Sequence, residues 1–240
     1  MFKRVMVAVV GLPLLILILG WAPSWATMLL LAAMCAIGAW ELMHAAAGER
    51  GRPLIPLTVI AAALVPVCVY AEVSIENTEL TALPVLPLTA LLGAVLVLAL
   101  FVVSICRYGG ERAVPFAVLT TAIFAGLVFP LMLSCMLRLR MVPYIGMLLV
   151  FFPLCISFGS DTFAFFAGLL FGKHKLTPVS PKKTVEGAIG GLIGGVIGMM
   201  IMPFVGGMVI SDAFMSPTMA VAFGLLGSVV SQIGDLSFSV

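Results

Sequence analysis

The chain has 240 residues, of which 63% are hydrophobic and only 9% charged, with a mean hydropathy of +1.29. A soluble domain carries about 25% charged residues, so these proportions exclude a water-soluble globule and imply a polytopic membrane protein. The formal net charge of +2 says less than the placement of the charges, and no nucleic-acid partner is expected.

A helix crosses the hydrocarbon with roughly 20 apolar residues. On that measure the chain holds eight candidate spans, at about 5–22, 25–47, 54–72, 83–106, 114–137, 143–171, 187–210 and 217–240. The expected fold class is all-α, a polytopic transmembrane helix bundle of about eight spans. Two regions are expected: 1–137 with about five spans, and 138–240, which holds the polar motifs. Met-Phe-Lys-Arg before an apolar run has the look of a signal peptide, but no small-residue cleavage site follows, so it reads as a retained first helix. Pro13, Pro66, Pro130, Pro153 and Pro203 fall inside spans, where kinks are expected and neighbours can repair the lost hydrogen bonds. The five cysteines lie within or at the ends of apolar runs and form no C-x-x-C pair, which argues against a disulfide framework or a zinc site. Glu41 and His44, three apart at the end of the second span, read as a polar contact or a ligand pair, with the contact favoured. Trp21, Trp25 and Trp40 fit interfacial anchors.

Alternate loops divide the 12 Lys and Arg residues unevenly. Lys3, Arg4, Arg50, Arg52, Arg107, Arg112, Lys173, Lys175, Lys182 and Lys183 fall on one side. Only Arg138 and Arg140 fall on the other, where the 72–80 loop carries Glu72, Glu76 and Glu79. The positive-inside rule then places the N-terminus and the basic 172–186 loop in the cytoplasm. Arg138 and Arg140 run against the count, and either snorkel to headgroups or mark a misplaced boundary.

Residues 160–191 concentrate one aspartate, four lysines, a histidine and a glutamate between two apolar runs. Each such group costs several kcal/mol in hydrocarbon, so their clustering points to use. The sixth span carries Asp161, so its C-terminal half is expected in a polar cavity rather than against lipid. Lys182 and Lys183 precede the seventh span, with Thr184 and Glu186 at its first turn. A helix N-terminus exposes N–H groups that suit phosphate, and Ser180, Thr184 and the ammonium groups add to a polyanion site. The same lysines also read as the positive-inside tag of a cytoplasmic loop. Asp161 needs a partner, and Asp235, in the last span beside Ser231, Gln232, Ser237 and Ser239, is the candidate. Two carboxylates near lysines suit Mg²⁺ together with phosphate oxygens; a charge pair with a lysine is the alternative. Gly187, Gly191 and Gly195, and likewise Gly190, Gly194 and Gly198, are spaced by four. The run lacks the preceding strand and the GK[ST] ending of a nucleotide loop, so close helix packing is expected.

The pattern D-T-F-A-x-F-x-G at 161–168, F-G-K-H-K-L at 171–176, S-P-K-K-T-x-E-G at 180–187 and S-x-x-G-D-L-x-x-S at 231–239 resembles the CDP-diacylglycerol synthases (phosphatidate cytidylyltransferases). The resemblance covers roughly 155–240, and the N-terminal half by hydropathy alone. It implies transfer of a cytidylyl group from CTP to phosphatidate, giving CDP-diacylglycerol and pyrophosphate, with Mg²⁺ as cofactor. It makes 138–240 the catalytic region. It implies catalytic roles for Asp161, Lys182, Lys183 and Asp235, with Asp235 and Asp161 as metal ligands. Lys173, His174, Lys175, Ser180, Thr184, Glu186 and Ser239 become substrate-binding candidates. A multi-pass location in the cell inner (plasma) membrane follows, and a homodimer is a compatible assembly. In the family the G-D-L segment runs into S-x-x-K-R-x₄-K-D…H-G-G…D-R-x-D, elements this sequence does not contain after Ser239; an inactive, truncated synthase is therefore expected. Two other functions compete: a CTP-dependent polyprenol or phytol kinase or archaeal-type lipid cytidylyltransferase, and an ion-coupled transporter. The transporter predicts an inverted repeat, and residues 1–120 hold no counterpart of 160–186.

Overall fold

The computed structural model describes residues 2–77, 87–109, 113–178, 180–210 and 214–237, with side chains from Val10 onward. Eight long helices carry the described chain: α1 (Phe2–Gly20), α2 (Ser24–Ala46), α3 (Ile55–Glu76), α4 (Leu88–Cys106), α5 (Phe116–Arg140), α6 (Phe152–Phe171), α7 (Val185–Val209) and α8 (Pro217–Ser237). From α2 to α8, counting the helical lead-ins of α3 and α6, all seven are long and apolar enough to cross a membrane. The all-α membrane bundle is the architecture composition predicts. No strand occurs among the described residues, only the isolated antiparallel bridge Lys175↔Thr184.

Several expected boundaries shift. Helix α3 runs on to Glu76, so Glu72 is a helical residue and not part of an external loop. Helix α5 reaches Arg140, which puts both discordant arginines in its last turn. Pro153 sits in the first turn of α6, where its missing N–H costs nothing. Pro13, Pro66 and Pro203 lie inside continuous helices. At Pro130 the chain answers differently: residues Phe124–Val128 form a π-helical turn, and Phe129 N–H reaches back to the Phe124 carbonyl. A proline cannot continue the i→i−4 ladder, and a π turn just before it is a recognised way to absorb that gap.

The chain divides into two compact units, Met1–Met147 and Leu148–Val240. In the first unit, α2 buries Thr27, Leu31, Cys35, Ala39 and Met43, one residue per turn along a single face. Small partners on α3 (Ala61, Ala62) and α5 (Ala122, Ala125) let the helices approach closely. A second cluster joins Leu31 to Val65, Val69, Val73 and Leu137. One end of this unit is fastened by charge. The Glu72 carboxylate, 9% exposed, accepts from Thr89 N at 2.7 Å, from Thr89 Oγ1 at 2.9 Å and from Arg138 Nη2 at 2.9 Å. Arg140 Nη2 donates to the carbonyls of Gly20 (3.4 Å) and Ala22 (3.0 Å), at the end of α1. The arginines are thus tied within the protein, not left to snorkel. His44 likewise takes a different partner from the expected Glu41: its Nδ1 lies 2.8 Å from the Trp40 carbonyl, and its ring packs on Trp40 at 4.1 Å between centroids.

The second unit is the antiparallel trio α6, α7 and α8. Its two glycine stripes have different partners. Gly190, Gly194 and Gly198 face α6, where added Cβ atoms would meet Ala167 and Phe163, the Gly159 carbonyl, and the Cys155 carbonyl. Of the other stripe, Gly187 packs on Ala164 and Gly168 of α6, Gly191 lies between Gln232 of α8 and Ser160 of α6, and Gly195 faces Ser228 of α8. The packing role expected of the glycine run is what the structure displays, and one helix serves two seams.

Candidate active site

Because α6 and α8 end where α7 begins, three helix ends meet at one side of the second unit. A cavity of about 520 Å³ opens there. Its polar lining is Asp161 from α6, Lys182, Lys183 and Thr184 leading into α7, and Gln232 and Asp235 from α8. Its apolar lining is Ala164, Phe165 and Leu169 of α6, Leu176, Ala188, and Leu236 of α8. Lys183 Nζ donates to Asp235 Oδ2, closing a charge pair across 52 residues. Asp161 faces the same space, so the cavity gathers two ammonium groups and two carboxylates beside an apolar wall.

The segment between α6 and α7 is a folded hairpin. Leu176 N donates to the Lys183 carbonyl at 2.9 Å and Val185 N to the His174 carbonyl at 2.9 Å, on either side of the Lys175↔Thr184 bridge. Ser180 N donates to Thr177 Oγ1 at 3.3 Å and Lys183 N to the Ser180 carbonyl at 3.1 Å, which closes the turn. Thr184 caps α7 by accepting from Gly187 N at 3.1 Å. Two first-turn donors of α7 are therefore committed: Val185 N to the His174 carbonyl and Gly187 N to Thr184 Oγ1. The expected cradle of free N–H groups for phosphate is not what this helix start provides. The lysines carry the positive charge instead.

The sequence candidates separate into two sets. Asp161, Lys182, Lys183 and Asp235 share the cavity, and Thr184 joins them. Lys173, His174, Lys175, Ser180 and Glu186 lie in the hairpin or at its base and do not line it. Ser239 lies outside the described residues. The C-terminal half of α6 is not immersed in a polar cavity: Phe166, Leu170 and Phe171 are exposed on its outer side, and only the face of Asp161, Ala164, Phe165, Gly168 and Leu169 meets the pocket. Sequence reasoning noted Gln232 only as a polar neighbour of Asp235. Its Nε2 donates to the Ala188 carbonyl at 3.1 Å, joining α8 to α7 inside the site. The signal was its spacing, one turn before Asp235 on the same helix face. The apolar wall left no signal, since Phe165 and Leu169 look like any lipid-facing residues.

Two carboxylates on different helices in one cavity are the donor set that Mg²⁺ accepts when phosphate oxygens and water complete its shell. Asp235 is the one already shared with Lys183. Among the described residues there is no group of three or more His, Cys, Asp or Glu residues placed to hold a metal without such help.

Comparison with known proteins supplies the family. A model of the cytidylyltransferase family matches residues 2–240. The chain belongs to this family. The match takes in the N-terminal helices, for which the sequence motifs offered only hydropathy. Among relatives, the phosphatidate cytidylyltransferase of Staphylococcus saprophyticus is 35% identical over 92 residues, 38% of this chain and 34% of that protein. That of Helicobacter pylori is 37% identical over 91 residues, 38% of this chain and 32% of that protein. The chloroplastic phosphatidate cytidylyltransferase 5 of Arabidopsis thaliana is 33% identical over 99 residues, 40% of this chain and 23% of that protein. The chain thus spans about a third or less of the length of these curated relatives.

Proposed function

We propose that this member of the cytidylyltransferase family binds CTP and phosphatidate at the α6–α7–α8 cavity and forms CDP-diacylglycerol and pyrophosphate. The observation that carries the proposal is the composition of the cavity, with Lys182, Lys183, Asp161 and Asp235 facing an apolar wall of Phe165, Leu169, Leu176 and Leu236. A phospholipid head with its first methylenes needs both kinds of surface, and a nucleotide triphosphate needs the charged one.

In the proposed reaction a phosphatidate oxygen attacks the α-phosphorus of CTP. The bond from that phosphorus to the bridging oxygen breaks, and pyrophosphate leaves with the electron pair. No covalent enzyme intermediate is required, so the residues align the reactants and offset charge. Lys182 and Lys183 neutralise phosphate oxygens. Asp235 fixes the Lys183 ammonium, and Gln232 holds α8 against α7. Asp161 and Asp235 would hold Mg²⁺, which when bound supplies charge neutralisation at the phosphates. The Lys/Arg distribution supports a cytoplasmic hairpin in a multi-pass protein of the plasma membrane, the side on which CTP is found.

The test uses membranes containing the protein and CTP labelled at either the α- or the γ-phosphorus. We expect the α-label in a chloroform-soluble product that requires added phosphatidate and is lost on chelation of Mg²⁺. Transfer of the γ-label to lipid would make the protein a CTP-dependent kinase. Failure of either label to enter lipid both with this chain and with a version extended by the K-R, K-D, H-G-G and D-R-x-D elements would overturn the proposal, whereas failure of this chain alone is the result expected of an inactive, truncated synthase. Orientation is read by placing a lone cysteine at Thr177: impermeant reagent should reach it in inverted vesicles and not in intact cells.

A further inference from the structure

Glu186 lies outside the cavity, yet it is among the most heavily bonded side chains of the second unit. Its Oε2 accepts from Lys173 N at 3.2 Å and from His174 N at 3.3 Å, and its Oε1 lies 2.7 Å from His174 Nδ1. These contacts run from the first turn of α7 back to the residues just after α6. They sit at the open end of the hairpin, immediately beyond the Val185 N to His174 carbonyl bond. The second arm of that hairpin carries Lys182 and Lys183 to the cavity. A hairpin of so few backbone bonds is marginal alone, and its arms are largely exposed. Something must hold the arms together if Lys183 is to meet Asp235 reliably.

We infer that Glu186 and His174 form a latch that fastens the 172–185 hairpin and thereby positions Lys182 and Lys183. Glu186 is then a positioning residue and not a substrate ligand. The chemistry agrees: its carboxylate is already engaged by three donors, and a carboxylate repels phosphate unless a cation intervenes. A simpler role is also available, since an acidic residue in the first turn of a helix interacts favourably with the helix dipole. That role needs no His174. The latch needs both residues and makes their effects interdependent. The consequence for substrate rests on the cytidylyl-transfer reading; the latch itself does not.

The experiment is amide hydrogen exchange of the full chain in lipid nanodiscs, followed in peptides covering 172–187, with exchange in α8 as the control for folding. Glu186→Ala should speed exchange in the hairpin roughly 10- to 100-fold, the range expected for loss of hydrogen bonds to a charged group. His174→Ala should speed it less, and the double variant no more than Glu186→Ala alone. Glu186→Gln, which retains an acceptor oxygen, should fall between wild type and Glu186→Ala; together with His174→Ala it serves if Glu186→Ala disturbs α8. In the same samples CTP affinity, read by titration, should fall in the order of hairpin opening. Unchanged exchange with lost CTP affinity would make Glu186 a ligand and overturn the latch. Faster exchange in Glu186→Ala with no effect of His174→Ala would leave only the dipole role and overturn it equally. If wild type binds no CTP, the exchange measurements still decide the latch while the proposed function fails.

Discussion

The two units of this chain handle charge among apolar helices in opposite ways. In the first, the oxygens of Glu72 are taken by Thr89 and Arg138, and Arg140 is spent on the carbonyls that end α1. Glu72 and Arg138 face each other, and the groove that Thr89 lines beside them is otherwise apolar. In the second, Lys182, Lys183, Asp161 and Asp235 line an open space, and Lys183 and Asp235 pair at its edge with most of the aspartate side chain exposed. The charges that point to function are therefore those that line one open cavity together. Glu72 and Asp235 are both carboxylates in apolar helices, and what separates them is exposure: the Glu72 side chain is 9% exposed and that of Asp235 63%.

The contrast breaks most sharply if charge is removed from the open site. Lys183→Ala or Asp235→Asn should lower cytidylyl transfer about 10²-fold or more, as loss of one preorganised charge at a reacting centre does elsewhere. Thermal unfolding in detergent should change little, because the Asp235 side chain is 63% exposed and solvent screens the pair toward the surface range of about 0–1 kcal/mol. A large drop in unfolding temperature for either variant would mean that this pair is a fastening like Glu72–Arg138, and the distinction between the units would fail.

Next in size is the seam beneath the site. Gly194→Val would drive a branched side chain into the Gly159 carbonyl and Phe163. The expected cost is about 1–3 kcal/mol of stability, measured by denaturant titration, with turnover falling only as the folded fraction falls. Gly207→Ala on the same helix meets nothing within 4 Å and should be neutral. A neutral Gly194→Val would show that the α6–α7 approach is looser than described.

Much of this was open to inspection in the sequence, for a physical reason. Hydrocarbon makes polar groups expensive, so Asp161, Lys182, Lys183 and Asp235 stand out of an apolar background without any knowledge of the fold. The glycine stripes are equally local, since their spacing of four lies on one helix face. What could not be read were pairings between distant elements. Lys183 meets Asp235 across 52 residues and Arg138 meets Glu72 across 66, and no local pattern says which charge a charge will find. Three glutamates in 72–80 read as a loop against the apolar run before them, whereas Glu72 is helical and its burial is secured by Thr89 and Arg138. The donors that Glu186 meets, Lys173 N, His174 N and His174 Nδ1, lie 12 to 13 residues before it, and no local pattern shows that pairing. The apolar wall of the cavity was invisible, because in a membrane protein Phe165 and Leu169 are the expected residues at any surface.

In the first unit the prediction is one of stability alone. Glu72→Ala removes a nearly buried acceptor and strands Arg138 and the first-turn Thr89 N–H. Hydrogen bonds to a charged group are worth about 1.5–3 kcal/mol, and about 2 kcal/mol is the expected loss, with no change in turnover per folded molecule. Activity lost beyond the unfolded fraction would place Glu72 in the catalytic machinery and erase the contrast.

The smallest effect is expected at its partner, and the inequality is itself the test. Arg138 and Glu72 share one salt bridge at 2.9 Å, but their side chains are 45% and 9% exposed. Removing the arginine leaves the carboxylate with both Thr89 donors, so it is not an orphaned buried charge. Removing the carboxylate leaves Thr89 N and the guanidinium without their acceptor in that corner. The pair is also screened by solvent on the arginine side, which lowers its worth toward the surface range. Arg138→Ala should therefore cost about 0.5–1 kcal/mol, clearly less than Glu72→Ala, in the same unfolding assay. Equal costs for the two variants would mean that the ion pair, and not the Thr89 cap, holds this end of the unit together.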